Sequence, residues 1–198
     1  MKLFVNDSSP YSRVVRIVAL EKGLAERVSI VWSNPWADEE RLLEHNPAGR
    51  IPVLLTHDGV AITEALLIAQ YLDSLSSLPL LQPAGDLHCV QLLGQGMGLM
   101  EAAFTHVISE KFEGAQVRDS FFGRRREQVI TRSLARLNDV MQSRRDEAFT
   151  LGEIVIGVAL SYLAFRAPLN DWQNRYLRLR DLHERLSVRS SFQLTAFK

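Results

Sequence analysis

Cysteine is almost absent from this chain: Cys89 stands alone among 198 residues. A single thiol forms no internal disulfide, which excludes a disulfide-stapled scaffold and fits a reducing compartment. Net charge is missing as well. Lys plus Arg and Asp plus Glu both number 23, so no global field draws the chain to nucleic acid or to an anionic membrane. Long apolar runs are also missing. The most apolar stretch, Ile154 to Phe165, ends at Arg166. It falls well short of the roughly 20 residues of a membrane span and reads as a buried core helix. No segment of signal type leads into the first strand-like run, so the expected location is the cytoplasm. His45 and His106 have no partners at ligand spacing, and no metal site is expected. What is present, 46% hydrophobic and 23% charged residues, suits an ordinary globular protein of one large domain or two small ones.

The first part of the chain alternates between two periodicities. Leu3-Phe4-Val5 reads as a strand. Arg13 to Lys22 reads as a helix, with Val14, Val15, Ile17, Val18 and Leu20 suited to cover by a sheet. Gly23 stands where a helix ends in a left-handed residue. Val28 to Trp32 alternates as a strand does, and Asp38 to His45 reads as a helix capped by Asp38. Val53-Leu54-Leu55 and Val60-Ala61-Ile62 flank Asp58-Gly59, a hairpin signal. Thr63 is predicted to cap a helix from Glu64 to Leu75. The order βαβαββα predicts a small mixed sheet with helices on its faces. Pro79, Pro83 and Gly85 mark a linker over 78–86. Beyond it the periodicity is helical: Leu87 to Lys111, Gly123 to Arg144, Thr150 to Phe165 and Trp172 to Leu186. The third of these is apolar on nearly all sides, as a central buried helix is. Thr150-x-x-Glu153 is a capping box at its start. The predicted division is an α/β domain over 1–77, the linker, and an all-helical domain over 87–198.

Ser9-Pro10-Tyr11-Ser12 lies where a strand hands over to a helix N-terminus, whose unpaired N–H groups favour an anion. Cysteines at positions 9 and 12 would make this the Cys-x-x-Cys of a thioredoxin-like redox protein. Here both are hydroxyls, so the site can hold a thiolate but cannot supply one. The competing reading of Ser9 is a plain helix N-cap, a role open also to Asp7, Ser8 and Ser12. Pro52 stands at the entrance of the third strand, where a thioredoxin-like fold places a cis proline beside its ligand groove. Ile51 would then offer its backbone N–H and C=O to an extended peptide. Thr63-Glu64-Ala65 reads either as a helix start with an acidic first turn or as a site for both charges of an amino acid. In the second reading backbone N–H groups take a carboxylate and Glu64 takes an ammonium. A γ-glutamyl group carries both.

These stretches, in order, resemble the cytosolic glutathione transferases over essentially the whole chain. The resemblance rests on Ser9 to Ile17, Asn46-Pro47-Ala48-Gly49-Arg50-Ile51-Pro52-Val53, Thr63 to Leu72, and Thr150 to Gly157. The motif at Ser9 is similar to that of the serine-type bacterial members, theta-, zeta- or omega-like. The resemblance implies a thioredoxin-like N-terminal domain followed by a helical one. It also implies glutathione as co-substrate and a homodimer, and neither nucleic acid nor membrane as partner. Ser9 aligns with the catalytic serine of the theta- and zeta-like classes and with the cysteine of the omega-like ones. Ser9, Tyr11, Arg50, Ile51, Pro52, Glu64 and Ala65 would line the glutathione. Met97, Met100, Glu101 and Phe104, at helical spacing, would border the pocket of a small hydrophobic electrophile, or else serve packing. Ala65 departs from the family, which usually has a serine there to hold the γ-glutamyl carboxylate. Ser190 replaces a common proline.

The resemblance further implies detoxifying conjugation. In this chemistry Ser9 donates a hydrogen bond to the glutathione thiolate, which attacks an electrophilic carbon. Isomerisation and dehalogenation use the same thiolate. Tyr11 is a rival donor. A transferase-like protein without catalysis, of the stringent starvation protein A type, is the reading from a different class, and Ala65 favours it.

Overall fold

The computed structural model describes residues 1–79, 81–141, 149–166 and 171–198. Leu80 of the predicted linker and the end of the predicted helix towards Arg144 lie outside the described residues. The chain forms two units, Met1–Leu81 with Ser190–Lys198, and Gln82–Arg189.

In the first unit β1 (Lys2–Val5), β2 (Ser29–Trp32), β3 (Val53–Leu55) and β4 (Ala61–Thr63) form one sheet in the order β2-β1-β3-β4. β1 runs parallel to β2 and antiparallel to β3, and β3 runs antiparallel to β4. Leu3, Phe4 and Val5 are all buried because β1 is central and covered on both faces. Phe4 joins Leu42, Ile51 and Val53 in a cluster on one face. Its neighbours Leu3 and Val5 point to the other face, as the pleat requires. There α1 (Pro10–Glu21) and α3 (Ala65–Ser74) lie together, burying Val14, Ile17, Val18, Ile68, Ala69 and Leu72. α2 (Glu40–Leu43) carries Leu42. The observed βαβαββα order is the predicted one.

The register explains how this unit gathers its loops. Val5 pairs with Trp32, Phe4 with Val53, and Val53 with Thr63. β1, β2 and β4 therefore all end, and β3 begins, at one end of the sheet. The starts of α1 and α3 and the turn before β3 collect there.

Several local expectations change. Asp38 does not cap α2; it takes φ 47, and Glu39 precedes the helix without a side-chain cap. Thr63 stays in β4 and Glu64 takes the capping place. Ile30 and Trp32 alternate like core residues yet are exposed, because β2 is an outer strand. Gly23, at φ 66, does end α1: its N–H bonds Leu20 O, and the Leu24 N–H bonds Ala19 O, a Schellman closure.

The second unit is helical: α4 (Leu87–Glu113), α5 (Phe121–Val140), α6 (Leu151–Arg166), α7 (Trp172–Arg175) and α8 (Leu177–Ser187). The predicted last helix is two, interrupted at Tyr176 by a non-helical backbone with φ −121 and ψ 74. α6 is buried from Leu151 to Leu160. Its capping box forms, with Thr150 Oγ1 accepting from the Glu153 N–H and Glu153 Oε2 accepting from the Thr150 N–H, both at 3.4 Å. The other Glu153 oxygen accepts from Arg185 of α8, so the buried carboxylate is paired. Gly152 lets α6 approach α4 at Leu92 and Cys89.

The sequence reading assigned all of 87–198 to the helical part. Instead α9 (Ser190–Leu194) and the residues after it belong to the first unit, because α1 holds them. Arg13 and Arg16 donate to carbonyls of this segment, and Ser191 donates to Glu21.

Candidate active site

Ser9 caps α1. It is 9% exposed, and its Oγ accepts the Ser12 N–H at 3.2 Å. Pro10 follows at the first helical position, where a missing N–H is no loss. The Ser9 N–H donates to Asn6 Oδ1 at 2.7 Å, so the loop from β1 is tied from both sides. A hydroxyl accepts and donates independently. The cap uses an acceptor lone pair of Ser9 and leaves its proton for a further partner. Capping and ligand contact are thus compatible roles for one side chain. Ser12 is wholly buried, and its hydroxyl has no hydrogen-bond partner among the described residues. Tyr11 is half-buried on the first turn.

The second element is the turn before β3. Asn46 is buried; its Oδ1 accepts the Ala48 N–H at 3.1 Å and its Nδ2 donates to Arg50 O at 2.8 Å. Gly49 takes φ 63, which glycine adopts freely. This turn delivers Ile51 and Pro52, joined by a cis peptide bond and both buried. The Arg50 side chain is exposed.

The third element is the start of α3. Glu64 precedes it at φ 66 and ψ 121, a conformation that L residues rarely hold and that clusters at ligand sites. Its side chain is exposed and makes no capping hydrogen bond. The first N–H groups of α3 therefore lack a side-chain acceptor from their cap, and Ala65 is buried at the first helical position. The sheet register brings this start, the Ile51–Pro52 bond and Ser9 to the same end of the unit. Beside them Asn6, Asp7, Ser8, Trp32, Ser33 and Asn34 line a shallow groove of about 440 Å³.

Residues 8–75 match the family model of the glutathione S-transferase N-terminal domain. The whole fold matches a crystal structure of a glutathione S-transferase from Methylobacillus flagellatus KT, with GSH bound. The TM-score is 0.91 and the identity 30%, over 100% of this chain and 99% of that one. The chain belongs to the glutathione S-transferase family. An uncharacterised GST-like protein of Escherichia coli K12 is 28% identical over 200 residues, 98% of each chain. A stringent starvation protein A homolog of Pasteurella multocida is 36% identical over 83 residues, 42% of this chain and 38% of that one.

The glutathione S-transferase fold carries the other four residues singled out in the sequence on α4. Met100 is wholly buried. Met97 and Phe104 are half-buried and Glu101 is exposed. Phe104 lies 6.5 Å from the ring of Tyr162, whose hydroxyl burial pushes up to about 12. Sequence reasoning missed Asn6, Asn46 and Arg13. The two asparagines each stand three residues before a backbone position that must be held. Asn so placed ahead of a cap or turn glycine is a readable signal. Arg13, buried beneath the C-terminal segment, gave none.

Proposed function

We propose that this protein is a glutathione transferase in which Ser9 activates the glutathione thiol for attack on a small hydrophobic electrophile. The observation that carries this reading is the Ser9 hydroxyl: its acceptor side is engaged by the Ser12 N–H, and its proton is free at a helix N-terminus. A free thiol titrates near 8.5. Lowering that by about two units takes roughly 2.7 kcal/mol, within reach of one charge-assisted hydrogen bond and a helix end. In this reading the sulfur lies over Ser9 and beside Tyr11. Ile51 pairs with the peptide backbone next to Pro52 and Arg50. The γ-glutamyl carboxylate meets the α3 N–H groups at Ala65, and Glu64 takes the ammonium. The missing serine hydroxyl at Ala65 lowers affinity, by about ten- to a hundredfold for a lost hydrogen bond to a charged group. Residues 1–77 form the glutathione-binding part. The helices beyond the 78–86 linker supply the electrophile contacts through Met97, Glu101 and Phe104. The working form is a cytoplasmic homodimer, and the role is detoxification.

Calorimetry with reduced glutathione, paired with conjugation assays on Ser9→Ala, tests this. Binding in the micromolar to low-millimolar range, with at least about a tenfold slower conjugation in Ser9→Ala and binding retained, is the expected result. An unchanged rate removes Ser9 from the mechanism.

A second reading has its own support in the similarity to the stringent starvation protein A homolog and in Ala65. There the fold serves as a protein-binding module without catalysis. Absence of glutathione binding at several millimolar would put it first.

A further inference from the structure

Arg13 is unusual for a buried cation. It is 6% exposed, and among the described residues no carboxylate forms a salt bridge with it. Its Nη2 donates to Phe192 O at 3.1 Å and its Nε to Thr195 Oγ1 at 3.5 Å. Its guanidinium lies 4.5 Å from the centre of the Phe197 ring and 5.4 Å from that of Phe192. Carbonyl, hydroxyl and ring faces satisfy a guanidinium without neutralising it. Burial and the neighbouring Arg16 pull Arg13 down to about 10, which still leaves it charged at neutral pH. The other charged groups nearby have contacts of their own. Arg16 lies over the Trp32 ring and donates to Leu194 O, Asp7 acts on Arg16, and Glu21 accepts from Ser191.

Arg13 sits one helical turn beyond Ser9, on the helix whose N-terminus Ser9 caps. The positive end of α1 and the Arg13 charge therefore have the same sign and lie one turn apart on one helix. We propose that Arg13, clamped by the C-terminal segment Ser190–Lys198, is a positioning residue that raises the positive potential at Ser9 and so acidifies a thiol bound there. The inference rests on the glutathione reading of the site. The thiol proton leaves to solvent, and the thiolate stays beside Ser9. The clamp matters because water reaching the guanidinium would screen its charge.

The test titrates the ultraviolet absorbance of glutathione thiolate bound to the full chain. The variants are Arg13→Met, Arg13→Lys and Phe197→Ala, with glutathione binding measured separately by calorimetry. Arg13→Met removes the charge and keeps the apolar stem. Its bound thiol is expected to titrate about half to one unit higher, a three- to tenfold loss of thiolate near neutral pH. Arg13→Lys keeps the charge and is expected to hold the thiol close to its original value. Phe197→Ala opens the clamp to water and is expected to give an intermediate rise; it serves also if Arg13→Met does not fold. Bound glutathione with an unmoved thiol in both Arg13→Met and Phe197→Ala overturns the role of Arg13 and leaves the transferase reading standing. So does an equal rise in Arg13→Lys and Arg13→Met, since it would mark a purely structural residue. Failure of the unaltered protein to bind glutathione overturns the transferase reading itself, and this inference with it.

Discussion

Replacing Lys22 with Met is predicted to be among the most damaging single changes outside the candidate site. The Lys22 ammonium has three acceptors for its three protons: Asp73 Oδ1 at 2.8 Å, Leu78 O at 2.9 Å and Pro79 O at 2.9 Å. The Lys22 and Asp73 side chains are only 1% and 4% exposed. Asp73 also accepts the Leu81 N–H at 3.0 Å, so one ion pair ties the end of α1, α3 and the segment that follows it. The two carbonyls lie on exposed residues, and water replaces the lost donor there at little cost. Asp73 is different, because the variant takes the ammonium at 2.8 Å away from a carboxylate that is almost wholly buried. Breaking a buried pair from one side costs about 3–5 kcal/mol. For a chain of this size that is a fall in melting temperature of about 6–20 °C. Urea denaturation followed by circular dichroism measures it, with Asp73→Leu and the double variant completing a cycle. The double variant is expected to recover part of the loss, since it removes both buried charges but also the acceptor that Asp73 gives the Leu81 N–H. A loss below about 1 kcal/mol in Lys22→Met, or additive losses in the cycle, would refute the reasoning.

Four further outcomes follow from other parts of the molecule. Gly152→Ala puts a Cβ 2.7 Å from Leu92 Cβ and 3.1 Å from Cys89 O, and is expected to destabilise by about 1–3 kcal/mol. Gly98→Ala, on open ground in α4, is expected to stabilise by about 0.5–1 kcal/mol; thermal melts giving both the same sign would contradict this packing. Glu64→Gly relieves a positive φ, with a net gain of about 1 kcal/mol after glycine's extra chain entropy, while glutathione affinity falls about tenfold. Paired melting and calorimetry check this, and a loss of stability would show that the conformation is unstrained. Burial holds His106 below its ordinary value, against the carboxylates of Glu127 and Glu110 and with the cations Arg118 and Arg126. The unfolded chain therefore takes the proton first. Stability is full above about pH 6.5 and falls as pH drops from there towards the lowered folded value. Urea midpoints across that window are expected to fall less steeply in His106→Leu, and equal slopes would remove His106 from the account.

The sheet and its helices were legible because each left a local mark. Gly23 announced the end of α1, Asp58-Gly59 the hairpin, and the loss of strand periodicity beyond the linker marked the helical part. The candidate site was legible for the same reason, since Ser9, Pro52 and Glu64 each stand at a strand or helix boundary. What escaped is what depends on distant partners. The apolar alternation of Ile30 and Trp32 is that of a covered strand, and only the sheet order makes them outward-facing. Asp38 looked like a cap because cap propensity is local, whereas its φ of 47 answers to the path of the whole loop. Met100 followed the same helical spacing as Met97, and nothing in spacing separates a buried face from one open to a ligand. The place of the tail was the least legible of all. The cation it covers is Arg13, and the stretch that covers it begins far along the chain at Ser190.

That arrangement has a consequence for how the protein is made. All four strands and α1, α2 and α3 are complete early in synthesis, yet their unit is finished only by residues that emerge after the whole helical unit. Until Phe192 and Phe197 arrive, the inner face of α1 exposes a guanidinium that nothing covers, while the helical unit has already been completed. A chain cut short just before Ser190 would contain every strand and every residue of the candidate thiol site, and would still lack the piece that closes the unit around them.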